Sequence, residues 1–437
     1  FYKGTSLLFN LNEDKYLSFK ALNSVLFDRN SNYHLYTNFS GTASGSTINA
    51  GEDATINLTN IGTLIFDGNE VSCTSISSVS IANNAKALGG AIYGDIDSTI
   101  NIHGNREVNF TGNSTYAEAA NNAAFPTAYA RGGAIYGDTI NITSNDEVLF
   151  SSNTASTAYS ASSYAYGGAI CGKYLSLNNN GSIVFSDNSV SANRSSEYTT
   201  GTTSTSGGAI NVIDGGSLSI NNNTNVVFSN NSGNGNDAYG AVIHASGDSS
   251  ISLSNNGSIT FKGNSLRVYD HNTREGVSEL VYAYATSISG SKIVLNNNGG
   301  IAFYDNSLSV TGDYAYCIGG VISGKHISLD GNAEVSFTGN KVSISVLKEN
   351  GDVKGGVIKG DEIIQLNNNK RLFFSNNKIA STGVSGSYVY AYGGVMYSEA
   401  EIVLRGNDDV EFSNNSASHG GAIATTNGGV ITLSANG

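Results

Sequence analysis

The chain has 437 residues, of which only 13% are charged, 53 are glycine and one is proline. Its 22 basic and 35 acidic residues give a formal net charge of −13, which argues against a nucleic-acid-binding protein because phosphate binding needs clustered Lys and Arg. Hydrophobic residues make up 39% of the chain in regular alternation, which excludes a disordered protein.

The first 50 residues fit the later pattern poorly. They contain apolar runs and one Phe-x-x-Asn motif at Phe27, but no Gly-Gly motif. Terminal units of a repeat protein diverge from the others because they shield the open end of the core. We therefore predict a divergent N-terminal repeat or cap over residues 1–50 and regular repeats over residues 51–437. The last repeat is incomplete, because GGVITLSANG lacks its closing Phe-x-x-Asn.

Two motifs alternate along the rest of the chain. Phe-x-x-Asn occurs eleven times between Phe27 and Phe412, with a mean period of about 38 residues. Gly-Gly-Ala/Val-Ile/Met begins at Gly89, Gly132, Gly167, Gly207, Gly319, Gly355, Gly393 and Gly420. A fixed period of this size is typical of repeat proteins, whose stacked units share one continuous core.

Between the two motifs lie a pair of short alternating segments, as in LSLNNNGSIVF over residues 175–185. Alternation of period two indicates strands with one buried face. The sixth position of this segment is Asn in nine of ten copies, for example Asn180. Because Asn tolerates a left-handed backbone, we predict that this residue turns the chain, and that stacked Asn side chains bond along a ladder.

These patterns predict an all-β, single-stranded parallel β-helix (solenoid) of about eleven repeats, right-handed, with three short strands per coil. One coil or two coils per repeat are both compatible with the period. The inward side chains would stack from coil to coil. The predicted structural residues are Phe66, Phe110, Phe150, Phe185, Phe228, Phe261, Phe303, Phe337, Phe374, Phe412, Asn113, Asn153, Asn188, Asn264, Asn306 and Asn340.

The variable segments between Phe-x-x-Asn and the next Gly-Gly are rich in Ser, Thr, Ala and Tyr. We interpret them as loops, and variable loops on a repeating scaffold usually mark its interacting side. Tyr is frequent in interfaces because it offers area and a hydroxyl at low entropic cost. An aromatic ladder that only covers the next coil is the alternative. The candidate ligand-binding residues are Tyr164, Tyr166, Tyr314, Tyr316, Tyr388, Tyr390 and Tyr392.

The residues do not assemble into a recognisable catalytic or metal site. Asp408-Asp409 is the only Asp-Asp pair, and its place in the repeat fits a turn better than glycoside hydrolysis. The six His share no repeat position, and Cys73, Cys171 and Cys317 show no disulfide or zinc spacing. We expect no enzymatic activity, no metal and no cofactor. We also find no secretory signal and no membrane-spanning segment in this chain.

The alternation of Gly-Gly-Ala-Ile with Phe-x-x-Asn over about residues 60–437 resembles the passenger domains of the chlamydial polymorphic outer-membrane proteins. Gly132-Gly133-Ala134-Ile135, followed by Phe150 and Asn153, is one such pair of motifs. The resemblance implies an autotransporter passenger, a β-helical surface adhesin exported through a carboxy-terminal β-barrel. It also implies an extracellular location at the bacterial surface, with the anchoring region outside this chain.

The leading hypothesis is therefore a non-enzymatic surface rod that presents its variable, Tyr-rich segments to a host or cell-surface protein or glycan. The second hypothesis is a structural subunit that binds copies of itself end to end in a filament, since an open β-helix end exposes unpaired backbone groups. A polysaccharide lyase or hydrolase is a more distant third.

Overall fold

The computed structural model describes the chain except for residues 1–8, 12–15, 38–39, 77–83, 121–125, 195–201, 270–279, 385–386 and 427. The described residues form strands, turns and bends, and none of them lies in a helix. They divide into two compact units, Phe1–Leu218 and Ser219–Gly437. Strand pairing within each unit is parallel, which confirms the predicted all-β parallel β-helix.

One repeat makes one coil. From Glu107 the chain passes through four strands, each in a different sheet, and reaches Glu147, which pairs with Glu107 as its direct neighbour. Each coil therefore advances the chain by one strand spacing, about 4.8 Å. We name the four sheets by their content: the Phe sheet, the Ser sheet that follows each Phe-x-x-Asn, the Tyr sheet that precedes each Gly-Gly, and the Gly sheet that follows it.

The Phe sheet contains the Phe of each motif at the fourth position of a five-residue strand. Its strands in the first unit are Ser24–Asp28, Thr63–Asp67, Glu107–Thr111, Glu147–Ser151 and Ser182–Ser186. Its strands in the second unit are Asn225–Ser229, Ser258–Lys262, Gly300–Tyr304, Glu334–Thr338, Arg371–Ser375 and Asp409–Ser413. The alternating burial of these strands follows the period predicted from the sequence.

Each strand of the Ser sheet begins directly after the Asn of a Phe-x-x-Asn motif. Its strands in the first unit are Ser31–Thr37, Glu70–Ile76, Ser114–Ala120, Thr154–Ser160 and Ser189–Arg194. Its strands in the second unit are Ser232–Gly235, Ser265–Tyr269, Ser307–Gly312, Lys341–Val346 and Lys378–Gly383.

Each strand of the Tyr sheet ends directly before a corner, which is Gly-Gly in most coils. Its strands in the first unit are Gly41–Ser44, Asn84–Leu88, Thr127–Arg131, Ser162–Tyr166 and Thr203–Ser206. Its strands in the second unit are Asp237–Tyr239, Leu280–Tyr284, Tyr314–Ile318, Gly351–Lys354 and Val389–Tyr392.

The Gly sheet holds the longest strands, and in some coils a break divides its strand in two. Its strands in the first unit are Phe9–Leu11, Tyr16–Lys20, Ile48–Ala50, Thr55–Thr59, Ile92–Gly94, Thr99–His103, Ile135–Thr143, Ile170–Asn178 and Ile210–Asn221, within which the unit ends. Its strands in the second unit are Ile243–Ser254, Ile288–Val294, Ile322–Asp330, Ile358–Asn367, Met396–Ser398, Glu401–Arg405, Ile423–Thr425 and Val430–Ser434.

Each coil passes through four sheets, whereas the sequence predicts three strands. Two of the predicted strands share the Gly sheet, and the Ser and Tyr sheets come from the variable segments, which the sequence predicts to be loops. The inward residues of these segments are mostly Ala, Ser and Thr in the first unit, for example Ala128, Ala130 and Thr157. Small side chains bury little apolar area, so most of these first-unit strands lack the Ile/Leu/Val alternation on which strand prediction depends, whereas second-unit strands such as Lys341–Val346 have it. The early strands Ser24–Asp28 and Ser31–Thr37 join the same sheets by parallel pairing.

The Phe side chains point inward and stack on one another. The rings of Phe66, Phe110, Phe150 and Phe185 lie 4.6–4.9 Å apart and within 4° of parallel in the first unit. The second unit has its own stack, formed by Phe228, Phe261, Phe303, Phe337, Phe374 and Phe412, with spacings of 4.6–5.2 Å. These rings are fully buried except that of Phe412, which is half-buried and stacks on Phe374 alone.

The Asn of each Phe-x-x-Asn is buried beside the Phe stack and bonds along the coil axis. Asn153 donates from Nδ2 to Asn188 Oδ1 (2.9 Å) and to the carbonyl oxygen of Phe110 (2.9 Å). Its Oδ1 accepts hydrogen bonds from both nitrogens of Asn113. The same arrangement holds at Asn264, Asn306 and Asn340 in the second unit. The side-chain amide is thereby fully hydrogen-bonded, as a buried polar group requires.

The sixth-position Asn forms a second ladder, but it does not turn the chain as predicted. Asn180 is buried and accepts hydrogen bonds from Asn145, whereas the positive φ belongs to the residue before it, Asn179 (φ 59°). The same shift occurs in Phe-x-x-Asn, where the residue before the Asn, such as Ser152 (φ 56°), is left-handed. A neighbour thus takes the turn conformation, while the buried Asn supplies the ladder bonds.

The Gly-Gly corner requires both glycines for different reasons. The first has a positive φ, for example Gly167 (φ 64°) and Gly355 (φ 73°), which costs Gly little. The second faces the next coil at close range, since a Cβ on Gly168 would collide with the carbonyl oxygen of Gly208. Both explanations offered from the sequence, close packing and positive φ, therefore apply, one to each glycine.

We expect Gly356→Ala to destabilise the fold by about 1–3 kcal/mol, as overpacking does. The new methyl would meet the carbonyl oxygen of Gly394 and lie 3.1 Å from Ile379 Cγ1. Gly300→Ala is the control, because no heavy atom lies within 4 Å of its Cβ position. Urea denaturation followed by circular dichroism compares the two. Equal midpoints for both variants would contradict the close packing at the corner.

Candidate ligand-binding surface

Six of the seven candidate Tyr lie on the outward face of the Tyr sheet, and Tyr388 directly precedes its strand Val389–Tyr392. In Ser162–Tyr166, Tyr164 and Tyr166 point outward while Ala165 between them is fully buried. The pattern repeats in the second unit, where buried Ala315 and Ala391 alternate with outward Tyr. The alternation of Tyr with small residues thus places the rings outside and the small side chains inside.

In the first unit the outward rings form a stack joined by a cation. Tyr164 stacks on Tyr129 of the preceding coil, with ring centroids 5.0 Å apart. The Arg131 guanidinium lies 5.3 Å from the ring centre of Tyr129 and 5.5 Å from that of Tyr166. Both contacts are within the range of cation–π attraction. Burial, partly opposed by Arg131, raises the pKa of Tyr166 to about 12, so the phenol stays protonated at neutral pH.

In the second unit the candidate Tyr differ in exposure. Tyr316 stacks on Tyr282 at 5.4 Å and is half-buried, as is Tyr314. Tyr388 and Tyr390 are exposed by 63% and 42%, and their ring centroids lie 6.4 Å apart. Tyr392 continues the row at 6.3 Å from Tyr390 but is half-buried against His419. Tyr388 and Tyr390 are therefore the most accessible of the candidates.

A groove runs along successive corners of the second unit, and we call it the corner groove. Its volume is about 460 Å³. The residues of one wall occupy the last, outward position of successive Tyr sheet strands. Those of the other wall occupy the second position of successive Gly sheet strands. The first wall is Tyr239, Tyr284 and Ile318, in register. The second wall is His244, Ser289, Ser323 and Lys359, also in register.

One end of the groove carries a buried lysine between two carboxylates. Lys359, only 5% exposed, pairs with Asp361 and lies 3.7 Å from Glu399. Lys354 Nζ also approaches Glu399, at 3.2 Å. Burial opposes ionisation of Glu399, but the two lysines outweigh it and lower the pKa of this carboxyl. Glu399 is therefore a carboxylate at neutral pH.

The other end of the groove holds a neutral histidine. The His244 ring contacts Tyr239 at 5.2 Å between centroids. Burial lowers the pKa of His244 to about 4, so the ring is uncharged at neutral pH. Its Nδ1 is buried and has no hydrogen-bond partner among the described residues. An unpaired buried ring nitrogen is costly, so a hydrogen bond from a ligand in the groove would stabilise it.

Sequence reasoning did not identify His244, Ser289, Ser323 or Lys359 as members of a site. They occupy the same position after successive corners, of which the Ser323 and Lys359 corners are Gly-Gly, whereas Gly240-Ala241 and Ala285-Thr286 are weaker copies of the motif. That shared position was the available signal. Among the described residues, no group of three or more His, Cys, Asp or Glu has the geometry to hold a metal ion. Cys73, Cys171 and Cys317 are buried as free thiols. No apolar helix of the length needed to cross a membrane occurs in the described part of the chain.

Comparison with known families identifies the repeat. Residues 147–173 and 409–432 match the model of the family described as Chlamydia polymorphic membrane protein repeat. The first match contains Phe150, Asn153 and the Gly167-Gly168 corner, and the second contains Phe412 and the Gly420-Gly421 corner. No curated protein and no solved structure matches the chain. The chain thus contains, at these two places, the repeat described for the Chlamydia polymorphic membrane proteins, as its alternating motifs predicted.

Proposed function

We propose that this chain is a surface-exposed autotransporter passenger that acts as an adhesin, with the outward tyrosines of the Tyr sheet as its contact residues. The observation that carries the proposal is the row of Tyr388, Tyr390 and Tyr392, whose first two rings are exposed at the start of the Tyr sheet strand Val389–Tyr392. The two matches to the Chlamydia polymorphic membrane protein repeat support a location at the bacterial outer membrane surface.

Exposed Tyr on strands suits a contact surface for two reasons. Each ring offers a large amphipathic area with only two side-chain torsions to fix, so little conformational entropy is lost on binding. The strand Val389–Tyr392 also pairs with Gly351–Lys354, which holds the rings in place before a partner arrives. Pre-organised contact residues of this type commonly dominate binding energy in protein interfaces.

We further propose that the chain binds its partner without transforming it. Hydrolysis of a glycan would need one carboxyl kept protonated as an acid beside a second, ionised carboxylate. Glu399 in the corner groove is held ionised by Lys359 and Lys354, so it lacks the proton that a general acid donates. The lysines instead fix this carboxylate as a permanent hydrogen-bond acceptor.

The adhesin proposal predicts that Tyr388→Ser together with Tyr390→Ser weakens attachment to host epithelial cells. Loss of one interface Tyr typically costs more than about 1 kcal/mol, so the double variant should bind on the order of tenfold to a hundredfold more weakly. Attachment is measured with fluorescent beads coated with the purified chain, and thermal unfolding verifies that the variant is folded.

Two exposed Tyr outside the Tyr sheet provide matched controls. Tyr33 in the Ser sheet is 63% exposed, as is Tyr388, and Tyr174 in the Gly sheet is 43% exposed, close to Tyr390. Tyr33→Ser together with Tyr174→Ser should leave bead attachment unchanged. If both double variants attach as wild type does, or if wild-type beads attach no better than uncoated ones, the adhesin proposal is wrong.

A further inference from the structure

The corner groove has the composition of a ligand site. Its tyrosine wall begins with Tyr239 and Tyr284, whose rings stack on each other at 4.7 Å and 13° and form an aromatic surface. The opposite wall offers the hydroxyls of Ser289 and Ser323 and the unpaired Nδ1 of His244. A concave site that combines aromatic surface with a few convergent polar groups is the usual form of a small-ligand site.

The basic groups of the groove are already paired with carboxylates. Lys325 pairs with Asp248 at 3.6 Å, and Lys359 lies between Asp361 and Glu399. A phosphate or sulfate ligand needs basic groups whose charge is not already neutralised, as in Arg and Lys clusters. The groove therefore disfavours a strongly anionic ligand, which is consistent with the net charge of −13 for the whole chain.

The backbone around the groove is already hydrogen-bonded, which disfavours an extended peptide. Gly240 N donates to the carbonyl oxygen of Tyr284 (2.8 Å), and Gly319 N donates to that of Lys354 (2.8 Å). A peptide that adds a strand needs free backbone groups at a sheet edge, and these walls are sheet faces. An apolar helix needs aliphatic anchors, whereas Ile318 and Ala245 are the aliphatic residues among those that line the groove.

We propose that the corner groove binds a neutral, hydroxyl-rich oligosaccharide. The apolar face of one sugar ring packs on Tyr239 and Tyr284, and its hydroxyls reach Ser289, Ser323 and the unpaired nitrogen of His244. Hydroxyls both donate and accept hydrogen bonds, so they also suit the fixed Glu399 carboxylate. The inference deepens the proposed function, since it names a receptor class for an adhesin, but its site is distinct from exposed Tyr388 and Tyr390.

The test is an array of short neutral, sialylated and sulfated oligosaccharides probed with the full chain, followed by calorimetric titration of the best neutral binder. Tyr284→Ala removes half of the aromatic wall, and Ser323→Leu fills the groove. Each should weaken binding on the order of tenfold or more. Tyr136→Ala is the matched control, because it breaks the comparable Tyr93–Tyr136 stack of the first unit (5.6 Å) and should leave affinity unchanged.

The proposal is overturned if no neutral oligosaccharide binds at millimolar concentration, if only sialylated or sulfated ones bind, or if both groove variants retain wild-type affinity while their melting temperatures show them folded. These results are separable from the adhesin test. Cell attachment that depends on Tyr388 and Tyr390 without any oligosaccharide binding would leave the adhesin proposal standing and end this one. Oligosaccharide binding without cell attachment would leave the oligosaccharide proposal standing and contradict the adhesin proposal.

Discussion

Replacing Phe374 by Ala should lower the free energy of unfolding by about 3–5 kcal/mol, the range found for Phe truncation in protein cores. Phe374 is fully buried and stacks on Phe337 at 5.2 Å and on Phe412 at 4.9 Å. Truncation loses the burial of the ring and leaves a cavity that a regular ladder of strands cannot close, because the neighbouring coils are fixed at the strand spacing. It also removes two ring-stacking contacts.

The adjacent Phe373 provides the control. It occupies the outward face of the same strand, is half-buried, and lies under the Arg371 guanidinium at 4.6 Å. Phe373→Ala removes the same atoms in the same coil but from the solvent side, so its effect should be about 1 kcal/mol or less. Urea denaturation followed by circular dichroism gives both values. Similar losses at both positions would mean that the Phe stack contributes no more than the outward face.

Replacing Asn377 by Asp should be as destabilising, by about 3–5 kcal/mol, although it changes only one heavy atom. Asn377 is fully buried and donates from Nδ2 to the carbonyl oxygen of Phe337 (2.9 Å) and to Asn415 Oδ1 (3.0 Å). An Asp carboxylate has no donor for these two oxygens and would bring a charge into contact with them. The buried ladder would then contain two unsatisfied acceptors and an unpaired charge.

The chain again offers a neighbour as the control. Asn376 is exposed, adopts a positive φ of 57°, and bonds to Ser375 Oγ. Other coils carry Asp187 and Asp305 at the same position with the same conformation, so Asn376→Asp should be nearly neutral. The melting temperatures of both variants, measured by thermal unfolding, test this prediction. A stable Asn377→Asp protein would show that the ladder bonds do not hold the coils together.

The repeat and the parallel β-helix could be predicted because the inward residues of the Phe and Gly sheets are large. Phe185, Ile183 and Leu177 alternate with polar residues, and this alternation marks strands directly. The Ser and Tyr sheets could not be predicted in the same way. Their inward positions in the first unit mostly hold Ala, Ser and Thr, which are equally common in loops. In the second unit Val342 and Ile344 do alternate with polar residues, so there the signal was present but was masked by the variable length of the segments.

The turn position was assigned to the wrong Asn for a local reason. Asn179 and Asn180 are adjacent, and either residue type tolerates a left-handed backbone, so the sequence alone does not choose between them. The structure assigns the turn to Asn179 because Asn180 must point inward to reach Asn145.

The corner groove depends on pairing between coils that lie far apart in sequence. His244, Ser289 and Ser323 become neighbours only through the register of the Gly sheet. The lengths of the intervening segments vary, so spacing along the chain does not reveal this register. Sequence reasoning therefore found the separate Tyr-rich segments but not the groove beside them.

The central claim is that each repeat makes one coil, with Phe and Asn inside and the binding residues outside. Disulfide formation in the double variant Ala302→Cys with Ser336→Cys tests this claim most directly. The two outward residues are Cα partners in adjacent coils of the Phe sheet. Adjacent coils lie about 4.8 Å apart, within the Cα separation that a disulfide spans, whereas two coils per repeat would put them about 10 Å apart, beyond it.

The account predicts that mild oxidation links this pair nearly completely, as shown by a shift in gel mobility and a higher melting temperature. The pair Ala302→Cys with Thr338→Cys, displaced by two residues along the partner strand, should link far less. Failure of the Ala302–Ser336 pair to link in the folded protein, or equal linking of both pairs, would contradict the one-coil repeat on which the candidate surface and the corner groove depend.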